Sequence, residues 1–380
     1  MRISLLTDGI FPYVIGGMQK HSYYLAKYLA KSGVEVDLYH TNQSAYDIEK
    51  LELFSDAEKK YIRSFVIPFP KAGRLPGHYI KASHAYSEQI FERLKAEPAA
   101  DFIYAKGFAA WKLIEEKNKG FRCAPIGVNF HGYEMFQKSP DLKTLLAATF
   151  ILRNPVLYNV QHADYLFSYG GKITDILKKL CPSPGKIIEI PTGIEEAWLR
   201  KQPLQVNDPL KFVFVGRYER RKGIEELSSV LKDLHGKKTF EFHFIGPVPD
   251  DKKVILPGIV YHGPMTDAEK MKELLAAFDV LVCPSHSEGM PNVIMEGLAS
   301  GLAIIASDVG AISKMVSPAN GILTDPGSKE SLTKALSSMC EQSKEETLRM
   351  KQTSLQLVEN EFLWTKIIEQ TIAAIRTKIN

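Results

Sequence analysis

Cysteine is scarce in this chain of 380 residues: Cys123, Cys181, Cys283 and Cys340 stand far apart, none in a Cys-x-x-Cys spacing. That excludes a disulfide framework and a zinc ribbon, and it fits a reducing compartment such as the cytoplasm. No stretch reaches the ~20 apolar residues of a membrane span, and the run from Leu145 to Leu152 is expected to bury in a core. Met1-Arg2-Ile3-Ser4-Leu5-Leu6-Thr7-Asp8 meets an acid after a very short apolar run, which does not fit a signal peptide. Asp-x-Asp is absent, and the nearest acid-x-acid pairs, such as Asp267-Ala268-Glu269, sit at helix starts where carboxylates favour the dipole. No metal is therefore expected. A Gly-x-Gly-x-x-Gly fingerprint and internal repeats are missing too. Net charge is only +4 and no recognition motif appears, so nucleic acid is not an expected partner.

What remains is ordinary globular material, 45% hydrophobic and 24% charged, long enough for two domains with cores of their own. Residues 1–190 hold 25 Lys and Arg against 19 Asp and Glu, and the remainder 23 against 25, so the first half is the basic half. Apolar runs at Ile3–Thr7, Val34–Tyr39, Phe102–Tyr104, Ile126–Phe130 and Tyr165–Ser168 alternate with helical patterns such as Met18–Lys31. Strands with little polar alternation, separated by helices, predict a parallel sheet covered on both faces, an α/β doubly wound Rossmann-like domain. The pattern pauses from Pro191-Thr192-Gly193-Ile194 to Asn207-Asp208-Pro209, then restarts at Phe212–Val215, Phe242–Ile245, Val280–Cys283, Ala303–Ala306 and Gly321–Leu323. We expect a first domain over 1–190, a second over 191–361, and a terminal helix over 362–380. That helix carries an apolar stripe through Ile367, Ile368, Ile372 and Ile375 with which to dock.

Chemistry concentrates in the second domain. After Val280–Cys283 comes Glu288-Gly289-Met290-Pro291-Asn292-Val293-Ile294-Met295-Glu296, with Pro291 expected at the first position of a helix, where a missing N–H costs nothing. Glu296 would lie about 7.5 Å along that helix while Glu288 stays below its N-terminus, so one molecule could touch both carboxylates. Strand Phe212–Val215 runs into Gly216-Arg217-Tyr218-Glu219-Arg220-Arg221-Lys222-Gly223. Arg217 offers a planar fork and Lys222 a point charge to a diphosphate beyond the strand ends. The plainer reading is four cations solvating a turn. In the first domain, Gly16-Gly17 lies between a strand and a helix, and Ile126–Phe130 ends in His131. Between the second and third apolar runs, Lys59, Lys60, Arg63, Lys71, Arg74 and Lys81 interleave with Phe65, Phe69 and Tyr79. Glu52, Asp56 and Glu58 dilute them, so a solvated face competes with contact to an anionic membrane.

Together Val215-Gly216-Arg217 with Lys222-Gly223, Ile190-Pro191-Thr192-Gly193-Ile194, Pro284-Ser285 leading to Glu288-Gly289-Met290-Pro291-Asn292 and Glu296, Gly301, Ser307-Asp308-Val309-Gly310 and Asn320-Gly321 resemble a known family. It is the retaining nucleotide-sugar glycosyltransferases of the GT-B fold, glycosyl transferases group 1, with its bacterial mannosyl- and glucosyltransferases. The resemblance implies two Rossmann-like domains facing a central cleft, an acceptor-side first domain, a donor-side second domain and a terminal helix crossing back. Arg217 and Lys222 would hold the donor diphosphate, Glu288 the donor sugar and Glu296 the ribose. Gly289, Met290, Pro291 and Asn292 would orient sugar and phosphate at the helix N-terminus. Gly16 and Gly17 would belong to a loop closing over the donor, and His131 would bond the sugar or help the acceptor. The implied co-substrate is a UDP or GDP sugar with no cofactor, and the implied acceptor is a glycan or lipid-linked molecule in polysaccharide or lipopolysaccharide assembly at the cytoplasmic face of a membrane. Ala311 and Lys314 depart from the family pattern, which leaves the donor open. A nucleotide-sugar epimerase and a non-catalytic sugar-nucleotide sensor are the alternatives.

Overall fold

The computed structural model describes residues 1–42, 53–71, 73, 77–181 and 183–379. The chain divides into two compact units, one of Met1–Phe136, Leu145–Thr192 and Trp364–Asn380, the other of Gln137–Thr144 and Gly193–Leu363.

The first unit is built on strands β1 (Arg2–Leu6), β2 (Glu35–His40), β3 (Ile62–Val66), β4 (Phe102–Lys106), β5 (Ile126–Asn129), β6 (Tyr165–Ser168) and β7 (Ile187–Glu189). All pair in parallel in the order β3-β2-β1-β4-β5-β6-β7. The second unit carries β8 (Lys211–Val215), β9 (Glu241–Ile245), β10 (Ile259–Tyr261), β11 (Val280–Cys283), β12 (Ala303–Ser307) and β13 (Gly321–Thr324), parallel in the order β10-β9-β8-β11-β12-β13. In each sheet the chain winds one way and then returns to the other side of its first strand. That puts a topological switch point between β1 and β4 and another between β8 and β11, the places where open α/β sheets bind ligands.

Burial explains why the central strands are uniformly apolar. Every residue of β11 and β12 is buried, with helices on both faces, and each fully covered Val, Ile or Leu contributes about 1.5–3 kcal/mol. Strands β3 and β10, at sheet edges, are half exposed, and Arg63 and Ser64 interrupt the apolar run of β3. Helix Trp364–Ile379 packs in the first unit, where Trp364 is buried against His21 and Tyr28 with ring centroids 5.2 and 5.8 Å away.

One expectation fails. The run Leu145–Leu152 is not a core segment: Leu145, Leu146 and Phe150 are exposed, Phe150 by 77%, and only Ala148 is buried. In the π-helical turn over Ala148–Leu152, Ala148 points inward and Leu152 packs on the core's edge, but Phe150 stays outside. In the basic and aromatic segment, Arg63 and Lys59 are held in ion pairs. Arg63 bonds Asp37 at 2.7 Å and Glu97 at 3.4 Å, and Lys59 bonds Asp56 at 3.3 Å. Arg74 and Glu52 lie outside the described residues.

Candidate functional site

The second unit brings most of the expected donor residues to its switch point. Beyond β8 the chain turns through a 3-10 helix, Arg220–Lys222, and reaches Gly223 at φ +68°. A Cβ on Gly223 would lie 2.0 Å from the carbonyl oxygen of Pro284, so only glycine lets this turn approach the end of β11. The approach sets Lys222 beside Glu288, Nζ to Oε1 at 2.6 Å. Ser285 Oγ donates to the same oxygen at 2.8 Å, and Arg221 Nη1 lies 3.4 Å from Oε2. Burial opposes ionisation of Glu288, but the charges of Lys222 and Arg221 outweigh it and hold the carboxyl below its ordinary value. Neighbouring Cys283 is pushed up to about 11 by burial and by the Glu288 charge.

The loop that carries Glu288 is clamped from several sides. Ala311 N donates to Gly289 O at 2.7 Å, and Gly310, at φ +57°, sits so close that a Cβ would lie 2.3 Å from the carbonyl oxygens of Glu288 and Gly289. Arg221 Nη1 donates to Ser287 O at 3.0 Å, and Gln137 Nε2 donates to Glu288 O at 2.7 Å. Helix Asn292–Ala299 follows, with Pro291 as its N-cap rather than its first residue, so the helix starts one residue later than expected. Gly289, Met290 and Pro291 are buried, while Asn292 and Glu296 are half-buried. Arg217 is mostly exposed and pairs with Glu219 at 2.9 Å, close in sequence to the Lys222 turn but outside the Glu288 cluster. Arg220 is a structural cation: it bonds Glu226 at 2.6 Å and His286 at 2.9 Å.

In the first unit, Gly16 is the N-cap and Gly17 the first residue of helix Gly17–Lys31. From that helix Gln19 donates to Asp8 in the loop before it at 2.8 Å, and burial pushes the Asp8 carboxyl up to about 6 against that bond. His131 follows β5, with Nδ1 2.9 Å from the hydroxyl of Tyr169. Lys106, at the end of β4, is fully buried, and its Nζ lies 3.4 Å from the same hydroxyl.

The structure brings the expected Lys222, Glu288 and glycine loop together, and beside them it sets Arg221, Ser285 and Gln137, which sequence reasoning did not single out as site residues. Arg221 was legible only as one of four cations on a turn, and Gln137, 151 positions from Glu288, left no local signal. Among the described residues, no group of three or more His, Cys, Asp or Glu side chains converges as a metal site requires. Among them, also, no helix is long and apolar enough to cross a membrane.

Comparison with known proteins follows this division. Residues 15–198 match the family model described as Glycosyltransferase Family 4, and residues 209–342 the one described as Glycosyl transferases group 1. Over 187 residues the chain is 35% identical to TuaC of Bacillus subtilis, a glycosyltransferase whose name assigns it to teichuronic acid biosynthesis, covering 47% of each protein. The chain spans about half the length of the curated relatives it matches. Among solved structures, sucrose-phosphate synthase from Thermosynechococcus elongatus superposes with a TM-score of 0.75 at 18% identity, covering 99% of this chain and 98% of that one. Anabaena HepE in complex with UDP superposes at 0.68 and 15% identity, covering 99% of this chain and 100% of that one. At such identities the likeness shows the fold, the two Rossmann-like domains of GT-B. The chain thus carries a glycosyltransferase family 4 domain followed by a group 1 glycosyltransferase domain.

Proposed function

We propose that the chain is a retaining, metal-independent glycosyltransferase that moves a sugar from a nucleoside-diphosphate sugar to a glycan or lipid-linked acceptor in cell-surface polysaccharide or lipopolysaccharide assembly. The observation that carries this reading is the Lys222–Glu288 pair at the switch point between β8 and β11, a cation and a carboxylate 2.6 Å apart and both largely buried. Lys222, with Arg217, neutralises the diphosphate and stabilises it as it leaves. Glu288, still ionised, accepts hydrogen bonds from sugar hydroxyls, and half-buried Glu296 accepts them from the ribose. The amides from Gly289 to Asn292 orient sugar and phosphate. His131 bonds the sugar or assists the acceptor, and Gly16 and Gly17 belong to the loop over the donor.

Transfer with retention proceeds by same-face attack. The acceptor oxygen bonds to the anomeric carbon, the bond from that carbon to the phosphate oxygen breaks, and the departing phosphate takes the acceptor proton. UDP in the Anabaena neighbour makes UDP a leading donor nucleotide beside GDP. The name of the Bacillus subtilis relative supports an anionic cell-surface glycan as product. Exposed Leu145, Leu146 and Phe150 offer apolar surface for peripheral contact with an anionic membrane carrying a lipid-linked acceptor.

A thermal-shift panel with UDP, GDP, ADP and TDP sugars tests the donor, because a ligand bound only by the folded state raises Tm by mass action. Arg217→Ala and Lys222→Ala should abolish most of that shift, and Glu288→Ala should cut turnover far more than it lowers Tm. Unchanged binding and rate in these variants would refute the assignment. Conversion of the donor with no acceptor present would replace it with an epimerase.

A further inference from the structure

Eight residues of the chain, Gln137–Thr144, belong with the second unit, although Phe136 before them and Leu145 after them belong with the first. Two of their side chains end on main-chain carbonyls of the second unit. Lys138 Nζ donates to Pro326 O at 2.9 Å, and Gln137 Nε2 donates to Glu288 O at 2.7 Å. A carbonyl only accepts, so Gln137 must face it with its NH2 and not with its oxygen.

That bond fixes more than one oxygen. A peptide group is planar and trans, so its C=O and N–H point in opposite directions. Holding the Glu288 carbonyl therefore turns the N–H of Gly289 away from Gln137, and it limits the backbone rotation of Glu288 itself. The next peptide plane is held in the same way, because Gly289 O accepts from Ala311 N at 2.7 Å. Among the described residues, no main-chain carbonyl accepts from the buried Gly289 N–H, which leaves it a donor for an oxygen from outside the chain. Lys222, Ser285 and Arg221 hold the carboxylate end of Glu288, and Gln137 holds its main-chain end. We propose that Gln137 is a positioning residue for the transfer: through the Glu288 carbonyl it aims the Gly289 N–H and the Glu288 carboxylate at the donor. The inference rests on the reading of Glu288 as the sugar-binding carboxylate, but the orientation of the peptide is a property of the unliganded protein.

Nitrogen-15 NMR of glycine-labelled protein without ligand tests that orientation, with Gly289→Ala assigning the signal. Gln137→Met keeps an unbranched stem and removes the donor, so the Gly289 amide should move more than the other labelled glycines, since a carbonyl that loses a hydrogen bond repolarises its own peptide group. Lys138→Met loosens the same segment without touching Glu288 and should leave that signal in place. Each variant is first shown to melt cooperatively. Turnover is then followed as release of the nucleoside diphosphate from whichever UDP, GDP, ADP or TDP sugar raises Tm most. Gln137→Met should lower kcat about 3- to 10-fold, the effect of one neutral hydrogen bond, with KM changed by less than about twofold. Lys138→Met should match wild type in both. Gln137→Glu separates donation from shape: its ionised carboxylate has no proton for the carbonyl and its protonated form has one, so its rate relative to wild type should recover as pH falls from 8 to 5, while that of Gln137→Met should not. An unmoved Gly289 signal in Gln137→Met, or equal losses of kcat in Gln137→Met and Lys138→Met, would overturn the proposal. Absence of turnover with every nucleotide sugar would instead remove the functional reading, and with it the role in transfer, while the Gly289 shift stands on its own.

Discussion

Replacing Lys222 by Met removes the main cation from Glu288 while keeping an unbranched stem in the same space. Two unit charges about 3 Å apart attract by about 5–6 kcal/mol at an effective dielectric of about 20. The desolvation of Glu288 offsets part of that attraction. Breaking a buried pair typically costs about 3–5 kcal/mol. Here Arg221 at 3.4 Å and Ser285 at 2.8 Å remain to hold the carboxylate, so the loss should be nearer 2–3 kcal/mol, our estimate from the same range.

The pH dependence separates this loss from a packing defect. In wild type the folded-state pKa of Glu288 is depressed, so its stabilisation is present above the unfolded value of 4.5 and is lost as pH falls through the folded one. In Lys222→Met burial dominates and the folded pKa rises above the unfolded one, so the ionised carboxylate costs stability at neutral pH and the cost fades as it protonates. A unit of this size loses about 2–4 °C of Tm per kcal/mol, which predicts a drop of about 4–12 °C at pH 7.5 and well under half of that at pH 4.5. Differential scanning fluorimetry at the two pH values checks it. An equal drop at both, or a change below about 2 °C at pH 7.5, would show that the pair does not hold Glu288 as argued.

Three further outcomes follow from single positions. Trp364→Ala should destabilise the first unit by about 3–5 kcal/mol, the range for emptying a buried aromatic site, as read by urea unfolding followed in that unit. Gly223→Ala should cost at least about 2 kcal/mol, because it adds left-handed strain to a contact of 2.0 Å with the Pro284 carbonyl, and it should weaken nucleotide-sugar binding in the same titration. Asp8, raised from 3.8 to about 6 chiefly by burial, is stabilising when neutral and loses that contribution as pH rises through 6, so Asp8→Asn should gain about 1–3 kcal/mol at pH 8 and nothing at pH 4; a gain of equal size at both would refute the shift.

The central strands were readable because both faces are covered: β1, β4, β8, β11 and β12 are short unbroken apolar runs, which the alternation with helices turns into parallel sheets. The edge strands were not. Strand β3 places Arg63 against Asp37 of β2, so its sequence reads as a charged surface segment although its backbone continues the sheet. Exposure deceived in the opposite direction at Leu145–Leu152, where composition describes a core and the π-helical turn leaves most of the bulk outside. At the site, residues near in sequence to a motif were legible, and those arriving from elsewhere were not. Gln137 reaches the Glu288 carbonyl from another part of the chain.

Glu288 and Glu296 resemble each other in sequence but differ physically. Glu288 is desolvated and kept ionised by Lys222, whereas Glu296 is half-buried on its helix. If Lys222 moves to an arriving diphosphate, Glu288 keeps Arg221 and Ser285 but loses its nearest charge, and its pKa must rise. A nucleotide sugar offsets that loss with sugar hydroxyls that donate to the carboxylate; a bare nucleoside diphosphate does not. Binding of UDP or GDP near pH 5.5 should therefore draw a fraction of a proton from solution, and binding of the matching sugar nucleotide should draw less. Calorimetry in buffers of different ionisation enthalpy measures both fractions. Equal proton uptake for the two ligands would mean that Glu288 does not meet the sugar, and would leave Lys222 as the only member of the pair engaged by the donor.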